Sequence, residues 1–522
     1  MNKKEVDVLI VGAGSTGSSI AYESIKRGLK VALIDSGDIG GGTSSRSTKL
    51  LHGGVRYLEL AAKTLDFSQL KLVKEALKER SHWISEVPFL AKELQLAIPT
   101  KNCLERFYYR FGLGIYDILA KEKSIRSSYN ASNHELNEIA PSIQNKYDGA
   151  VIYSDGQFND ARLNLLFALT AQKGGADLNT RNKLVEFILN PEGKLCGAIS
   201  EDLNGLRQQW DTKVIVNATG IYVDSVRKIA DQDANPRILA SRGVHIVLKE
   251  QLLPNGKGIL LPKTKDGRVV FFLPFHDRTL IGTTDTPCEL EAAKSPTKQE
   301  KEYLLDYAMQ IFPKLKRSSI KSSWAGGRPL VKPVDNTLQK SSRLVREHEI
   351  EILPCGLISA MGGKWTTCRN IALDVIKAME IVLEKNLPVT YDLPILGSQK
   401  NSINNLESLT KQRHLLESIL PESTVKDKQI DHLESTFGLE ASAIISSYKK
   451  NQMTPISNVI PICEAELRHY IRNELAITPT DLLARRCRLA MVDMEEANRL
   501  LPIVNKILRE EGLFAMEIDL TN

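Results

Sequence analysis

The beginning of the chain carries the pattern that most constrains its fold. Residues 6–11 form an apolar run interrupted by a single acid, and they lead directly into the turn 12–17, Gly-Ala-Gly-Ser-Thr-Gly. A helix-like segment, 18–27, follows, and a second apolar run, 30–34, ends at Asp35. A strand, a G-x-G-x-x-G turn, a helix, a second strand and a terminal acid, in this order, predict a βαβ unit that binds a dinucleotide.

Each glycine of the turn has a physical task. Gly12 permits the tight turn out of the strand, Gly14 lets the backbone approach a pyrophosphate, and Gly17 lets the helix pack closely on the sheet. The helix N-terminus then offers free N–H groups to the phosphates. Asp35 is placed to accept hydrogen bonds from ribose hydroxyls, and an acid at this position disfavours a 2′-phosphate. The unit therefore predicts FAD or NAD rather than NADP.

Two further features favour FAD over NAD. The unit lies at the start of a chain of 522 residues, and the apolar strand 213–217 ends in Ala218-Thr219-Gly220. Small residues at a strand end let the backbone run beside a bound dinucleotide, although the same ending fits an ordinary turn. No second G-x-G-x-x-G turn follows a strand, so a separate NAD site is not predicted.

Composition excludes several other classes. The net charge of +6 is small and no compact Lys/Arg run is present, so nucleic-acid binding is not expected. The seven cysteines are scattered without a C-x-x-C pair, so we predict neither disulfides nor a metal site. No apolar run approaches the ~20 residues that span a bilayer, and the start lacks a signal-peptide pattern. We therefore predict a cytoplasmic protein, either soluble or peripheral on the cytoplasmic face of the membrane.

The length predicts two or three domains. We expect an α/β, Rossmann-like FAD-binding domain, an inserted substrate-binding domain with an antiparallel sheet, and a C-terminal helical cap domain. The antiparallel sheet is predicted because residues 240–290 contain several short runs of β-branched and aromatic residues. The predicted bounds are 1–90, 150–235 and 355–385 for the FAD-binding domain, 91–149 and 236–354 for the substrate-binding domain, and 386–522 for the helical domain.

Residues 104–121 concentrate aromatic side chains in one segment. We favour packing of this segment against the neighbouring domain. The alternative is a surface that faces a membrane, as amphipathic interfacial helices do.

Three loops place basic and polar residues beside paired glycines, at 43–57, 326–330 and 361–367. An Arg or Lys beside Gly-Gly can approach an anion closely while backbone N–H groups contribute, which suits a phosphorylated substrate. Each loop taken singly also fits an ordinary turn with a solvated charge. The prediction therefore depends on the three loops together.

These segments together resemble the FAD-dependent glycerol-3-phosphate dehydrogenase family over nearly the whole chain. Residues 43–59 are similar to that family's signature loop after the second strand. Further similar segments are 273–275, 277–279, 281–285, 327–330, 346–348 and 362–367, and residues 481–486 with 488–489 resemble the C-terminal helical cap.

The resemblance implies that FAD oxidises glycerol 3-phosphate at C2 and that a quinone or another acceptor takes the electrons. His52 and His245 are the implied candidates for the base, and Arg328 is suited to stabilising the developing alkoxide. The implied substrate-binding residues are Arg56, Tyr57, Arg328, Arg346 and Lys364. The implied cofactor-binding residues are Gly12, Gly14, Gly17, Asp35, Thr43, Ser44, Ser45, Lys49, Gly220, Gly363, Lys364, Thr366 and Thr367.

Several alternatives stay open at this point. Either histidine fits the base, and Arg343 competes with Arg346 for the phosphate. The oligomeric state, with a homodimer as one option, and a covalent or non-covalent FAD are also open. The alternative function is a related flavin oxidase that uses oxygen to oxidise an amino acid or a 2-hydroxy acid. Such an enzyme needs a carboxylate clamp, often one Arg with a Tyr, rather than several separated cations. A flavin-binding subunit with a degraded site is a further alternative.

Overall fold

The first apolar run lies in the middle of a six-stranded sheet. In the computed structural model, which describes residues 2–54, 67–120, 125–264, 267–332, 348–399 and 402–521, Val8–Val11 pairs in parallel with Val31–Ile34 and with Val214–Asn217. These three strands are entirely buried, as expected for parallel strands that are covered on both faces. The order across the sheet is His348–Ile352, Ile358–Gly362, Val214–Asn217, Val8–Val11, Val31–Ile34 and Asp177–Asn179.

Alternate side chains of the central strand pack on opposite faces of this sheet. Val8 and Ile10 join the core formed with the helices, whereas Leu9 and Val11 join the core formed with a four-stranded sheet. The helix Ser15–Ile25 packs between Asp160–Lys173 and Cys368–Leu383. The four-stranded sheet has the order Asn2–Glu5, Arg207–Asp211, Leu195–Asp202 and Asn182–Leu189.

A ten-stranded, mostly antiparallel sheet forms the second large unit. The predicted strands within 240–290 are confirmed, because Ile238–Leu248 pairs with both Arg278–Gly282 and Ile320–Val331. Gly258–Leu261 joins this half to Ala91–Thr100 by parallel pairing. The sheet path is Thr286–Pro287, Ile238–Leu248, Arg278–Gly282, Val270–Phe275, Gly258–Leu261, Ala91–Thr100, Gly149–Phe158 and Leu50–Leu51, and Ile320–Val331 and Tyr129–Ser132 pair beside it.

The last part of the chain is helical, as predicted. The mixed sheets and the helical C-terminal part confirm the predicted fold class, while the exact domain bounds stay a prediction. The helices are Ser15–Ile25, Phe67–Glu86, Cys103–Ala120, Asn133–Ile139, Asp160–Lys173, Val223–Ala230, Lys298–Ile311, Cys368–Leu383, Ser402–Ile419, Lys426–Phe437, Ala441–Ser446, Glu464–Asn473, Leu489–Val492 and Met494–Glu510, with a π-helical turn at Asp481–Arg486.

The aromatic segment forms the helix Cys103–Ala120, and the favoured prediction for it was wrong on one face. Leu113, Tyr116 and Ala120 are buried, but a line of large apolar side chains faces outward. These side chains and their exposed fractions are Leu104 77%, Phe107 73%, Phe111 65% and Ile118 71%. We call this line the apolar stripe. Over the described ranges, no helix has the length and apolar content needed to cross a membrane.

A buried ionic cluster joins the C-terminal helices to the loop after Asp35. The carboxylate of Asp38 accepts hydrogen bonds from Arg485 at 2.7 Å and from Arg486 at 2.7 and 2.9 Å. Arg181 lies 3.8 Å from the same carboxylate. Burial alone would raise the pKa of Asp38, but the charges of Arg486 and Arg485 hold it well below its usual range. The cluster therefore connects two distant parts of the sequence through an ionised group.

Replacing Asp38 with Asn tests this connection. The Asp38→Asn variant removes the buried carboxylate that Arg485 and Arg486 share, so we expect it to lose about 3–5 kcal/mol of unfolding free energy. Thermal and denaturant unfolding of the holoprotein measure the loss. Asp211→Asn is the control, because Asp211 pairs with Lys3 at the surface and should melt close to wild type. Equal melting of both variants would contradict the prediction.

Candidate FAD and substrate site

A continuous cavity of about 2720 Å³ is lined by residues of both large sheets. The parallel strands contribute their carboxyl ends, which is where open α/β sheets bind ligands. The ten-stranded sheet contributes residues that include His245, Phe271 and Arg328. Because single ligand pockets usually measure ~300–1,000 Å³, this space is large enough for a dinucleotide together with a substrate.

The glycine-rich turn brings both predicted nucleotide motifs to the cavity wall. Gly12 has φ +102°, and a Cβ there would lie 2.7 Å from the carbonyl oxygen of Ala218, so the turn and the second strand end touch. A Cβ on Gly14 would lie 3.0 Å from Ser44 Oγ, and Ser15 N donates to that same oxygen at 2.8 Å. The turn is therefore a cradle that side chains would fill, at the start of a helix that attracts phosphate.

Asp35 lies on the cavity wall at the end of its strand, as predicted. Its carboxylate accepts hydrogen bonds from Ala13 N at 2.6 Å and from Gly37 N at 2.8 Å. Burial raises the pKa of Asp35, and these two N–H donors oppose the rise. The donors orient the carboxylate beside the turn, where ribose hydroxyls of a dinucleotide bind.

The structure separates the predicted cofactor residues into two groups. Those on the cavity wall are Gly12, Gly14, Asp35, Thr43, Ser44, Gly220, Gly363, Lys364 and Thr366. Those not on the wall are Gly17, Ser45, Lys49 and Thr367. Gly17 serves packing, because a Cβ there would lie 1.8 Å from the oxygen of Gly12. The predicted substrate residues Arg56, Tyr57 and Arg346, and the alternative Arg343, lie outside the described residues.

Lys49 requires a correction, because its side chain points into a buried network rather than toward the cavity. Its ammonium is 2.6 Å from Asp160 Oδ2 and donates to the carbonyl oxygens of Ser45 and Ser47 at 3.0 and 3.1 Å. Burial lowers the pKa of Lys49 to about 7 against the attraction of Asp160, and Arg488 adds to the lowering. Lys49 therefore stabilises the loop 43–49 from the side that faces away from the cavity.

Arg328 is held rigidly at the cavity wall. Its guanidinium donates to the oxygen of Thr284 and to Thr283 Oγ1, both at 2.9 Å, and lies 3.3 Å from Asp285. Gly243 makes room for it, since a Cβ there would be 2.5 Å from Arg328 Nη2. Lys364 follows the paired glycines at another part of the same wall. Arg328 and Lys364 therefore both line the cavity, but residues 326–330, predicted as a loop, lie within the strand Ile320–Val331.

The two histidines have different environments. His52 lines the cavity and is half-buried, with its ring centroid 6.4 Å from that of Phe271. His245 is almost fully buried and stacks on Trp324 at 5.5 Å. Its Nε2 is 3.0 Å from Thr48 Oγ1, and its Nδ1 is buried. Burial, with the charges of Lys49 and Arg328, lowers the pKa of His245 well below its ordinary value.

Sequence analysis missed the residues that support this wall. Asp160 binds Ser47 through both the backbone N–H, at 2.9 Å, and the hydroxyl, at 2.8 Å. Arg488 donates to the oxygen of Ser45 at 2.8 Å from the C-terminal helices. Asn159 followed by Asp160 is a sequence pattern that predicts only the start of a helix. Its partners come from distant parts of the chain, so no local signal could have assigned them.

Comparison with known proteins agrees with this geometry. Residues 7–369 match the family model described as FAD dependent oxidoreductase, and residues 388–514 match the C-terminal domain of alpha-glycerophosphate oxidase. The mitochondrial glycerol-3-phosphate dehydrogenase SDP6 of Arabidopsis thaliana is 37% identical over 97% of this chain and 83% of its own length. The chain belongs to the FAD-dependent glycerol-3-phosphate dehydrogenase family.

Other members of the family are similar over the same extent. The human mitochondrial glycerol-3-phosphate dehydrogenase is 36% identical over 98% of this chain and 71% of its own length. The structure of the glycerol-3-phosphate dehydrogenase from Bacillus halodurans complexed with FAD superposes with a TM-score of 0.78 at 25% identity, covering 97% of this chain and 91% of that one. FAD is therefore the cofactor, as the family resemblance implied, and the glycine cradle fits this dinucleotide.

The burial of His245 makes acid stability a test of the site. Above pH ~6.5 the ring is neutral in both states. Below that pH, His245 takes up a proton in the unfolded chain, whereas in the folded chain it stays neutral until the pH reaches its lowered pKa. The unfolding free energy therefore falls as the pH is lowered. We expect His245→Gln to remove a loss of up to about 1.4 kcal/mol per pH unit.

Thermal midpoints of wild type and His245→Gln between about pH 7.5 and pH 5 measure this effect. His134→Gln is the control, because the side chain of His134 is 86% exposed. If His245→Gln loses stability toward acid as steeply as wild type, His245 does not carry the predicted penalty.

Proposed function

We propose that this protein oxidises sn-glycerol 3-phosphate to dihydroxyacetone phosphate with its bound FAD and passes the electrons to a membrane quinone. The observation that carries the proposal is the single cavity that joins the glycine cradle to Arg328, Lys364 and His52. The cradle fits the pyrophosphate of a dinucleotide, and the separated cations can bind the phosphate of a phosphorylated substrate. Relatives named glycerol-3-phosphate dehydrogenase match nearly the whole chain, which supports the same substrate.

When bound in the glycine cradle, FAD would supply the redox chemistry, as the acceptor of the C2 hydride. The residues of the chain then have to bind the phosphate, orient C2 and remove the hydroxyl proton. Arg328 and Lys364 are proposed to bind the substrate, with Arg56, Tyr57 and Arg346 from outside the described residues. Arg328 would also stabilise negative charge at the C2 oxygen, because its guanidinium is already oriented by three oxygen groups.

We propose His52 rather than His245 as the base. His52 lines the cavity and is half-buried, so it is accessible to a substrate hydroxyl. In His245, Nε2 is within hydrogen-bond distance of Thr48 Oγ1 and Nδ1 is buried, so neither ring nitrogen is open to a substrate hydroxyl. We propose that the buried ring supports the cavity wall beside Arg328. Because the ring is neutral, it does not repel the guanidinium. A general base of this kind typically accelerates the reaction by about 10²–10⁴-fold.

Anaerobic reduction of the flavin tests the substrate and the base together. Glycerol 3-phosphate should bleach the absorbance of the oxidised flavin in wild type, with glycerol, lactate and an amino acid as controls. His52→Asn should slow bleaching at saturating substrate by about 10²–10⁴-fold, whereas His134→Asn at the surface should not.

Bleaching by an amino acid or by lactate, but not by glycerol 3-phosphate, would move the assignment to the oxidase alternative. A flavin that no substrate reduces would favour the inactive subunit. Full-rate reduction of His52→Asn would remove this histidine from the base role.

The acceptor proposal depends on the helix Cys103–Ala120. Residues of this helix, including Tyr109, Phe111 and Leu113, line the cavity, as do Leu260 and Phe271. The apolar stripe is on the same helix. A helix with one large apolar face lies in the plane of a bilayer interface. A prenylated quinone dissolved in the bilayer would then be close to the cavity.

The predicted cytoplasmic location stays a prediction, and the two curated relatives above are named as mitochondrial.

Placing charge on the apolar stripe tests membrane docking. The double variant Leu104→Glu, Phe107→Glu should lose binding to vesicles of phosphatidylethanolamine and phosphatidylglycerol in a flotation assay, because buried carboxylates oppose insertion. It should keep reduction of its flavin by glycerol 3-phosphate. Phe514→Glu is the control, since Phe514 is 86% exposed in a different part of the surface. Equal flotation of all three proteins would contradict docking through this helix.

A further inference from the structure

A buried cluster of charged and polar groups lies directly behind the turn that carries His52. Gly53 N donates a hydrogen bond of 2.8 Å to the hydroxyl of Tyr116, and that hydroxyl donates at 2.7 Å to Asp155 Oδ1. The same carboxylate oxygen accepts a hydrogen bond of 2.9 Å from Arg80. Tyr116, Asp155 and Arg80 are each about 1% exposed. One backbone N–H therefore connects to three buried side chains.

The three side chains come from three separate elements. Arg80 belongs to the helix Phe67–Glu86, Tyr116 to the helix Cys103–Ala120, and Asp155 to the strand Gly149–Phe158. Arg80 also donates to the oxygen of Ser154 at 2.9 Å, which fixes it to the strand. These hydrogen bonds therefore fix the position of the turn relative to both helices and to the ten-stranded sheet. A local turn needs no such support, because Gly54 has φ +81° and adopts the left-handed conformation without strain.

The turn is also closely packed against this cluster. A Cβ on Gly53 would lie 2.7 Å from the hydroxyl oxygen of Tyr116 and 2.8 Å from Leu77 Cγ. The backbone beside His52 thus rests against the phenol with no intervening side chain. A shift of the phenol would have to move this backbone, and the adjacent histidine with it.

Buried ion pairs are weak contributors to stability, since desolvation offsets much of their attraction. Burial raises the pKa of Asp155, opposed by Arg80 and by the hydroxyl of Tyr116. A buried arrangement with such a desolvation penalty is better explained by the orientation that it enforces than by net stabilisation. Orientation matters at this position, because a misplacement of 1 Å can reduce catalysis by ~10²-fold.

We infer that Tyr116 is a positioning residue for the oxidation of glycerol 3-phosphate, which holds the His52–Gly53–Gly54 turn through its hydrogen bonds to Gly53 and Asp155. The inference rests on the function proposed above. Tyr116 is not among the cavity-lining residues of the described chain, whereas His52 and Asp155 are. Tyr116 therefore acts on the substrate only through its neighbours.

The test compares two buried tyrosines that each lose a hydroxyl. Tyr116→Phe keeps the ring and removes both hydrogen bonds. Tyr470→Phe is the matched control, because Tyr470 is fully buried and donates to Glu466 at 3.1 Å in the C-terminal helices. The measurements are the FAD content, the thermal midpoint, and the rate of anaerobic flavin reduction against glycerol 3-phosphate concentration, which separates the limiting rate from the substrate Kd.

We expect both variants to keep their FAD and to melt at lower, similar temperatures. Tyr116→Phe should reduce the limiting rate of flavin reduction by roughly 10- to 100-fold and leave the substrate Kd within about threefold. Tyr470→Phe should reduce neither. A limiting rate for Tyr116→Phe equal to that of Tyr470→Phe would overturn the positioning role.

Asp155→Asn provides a second variant in case Tyr116→Phe does not accumulate as a folded flavoprotein. The amide oxygen still accepts from Tyr116, but the charge that orients the hydroxyl is gone, so we expect the same selective loss of rate with a smaller magnitude. An unchanged limiting rate in this variant would overturn the proposal. Absence of reduction in wild type would overturn the proposed function itself, whereas normal wild-type reduction with unaffected variants overturns only the positioning role.

Discussion

The site depends on buried charge at the junction between the C-terminal helices and the cofactor loops. Asp160 holds Lys49 at 2.6 Å and lies 3.4 Å from Arg488, and Asp38 binds Arg485 and Arg486. Each carboxylate lies near the start of the Rossmann-like part or in its helices, and the arginines come from residues beyond 480. Burying one partner alone would be strongly unfavourable. The junction therefore requires both parts of the chain to be folded together.

The same junction explains the form of the cofactor loop. Residues 43–49 run between the glycine turn and the ten-stranded sheet. On the buried side, Lys49 donates hydrogen bonds to the backbone oxygens of Ser45 and Ser47, and Arg488 donates to that of Ser45. This leaves Thr43, Ser44 and Thr48 facing the cavity. The loop is thus ordered by groups on its buried side, and its other side forms part of the cavity wall.

The helix Cys103–Ala120 contributes to three features of the protein at once. Its outer face carries the apolar stripe, several of its residues line the cavity, and Tyr116 on its inner face contacts the turn beside His52. Aromatic composition alone suggested a buried segment. The residues were instead divided by helical periodicity, which sends every third or fourth side chain to the same face. The surrounding strands decided which face was covered.

The sequence by itself determined the dinucleotide turn, because the turn follows from local spacing, and the resemblance of its segments to a known family implied the fold class, the cofactor and the family. Gly12, Gly14 and Asp35 needed only their own strand and helix to reach the cavity. Only the tertiary structure decided that Lys49 is a buried support, that Phe107 and Phe111 are exposed, and that Tyr116 and Asp155 meet at Gly53. These assignments depend on contacts between residues that are tens to hundreds of positions apart. Such contacts are specified by packing and by the desolvation of charge, and neither leaves a local pattern in the chain.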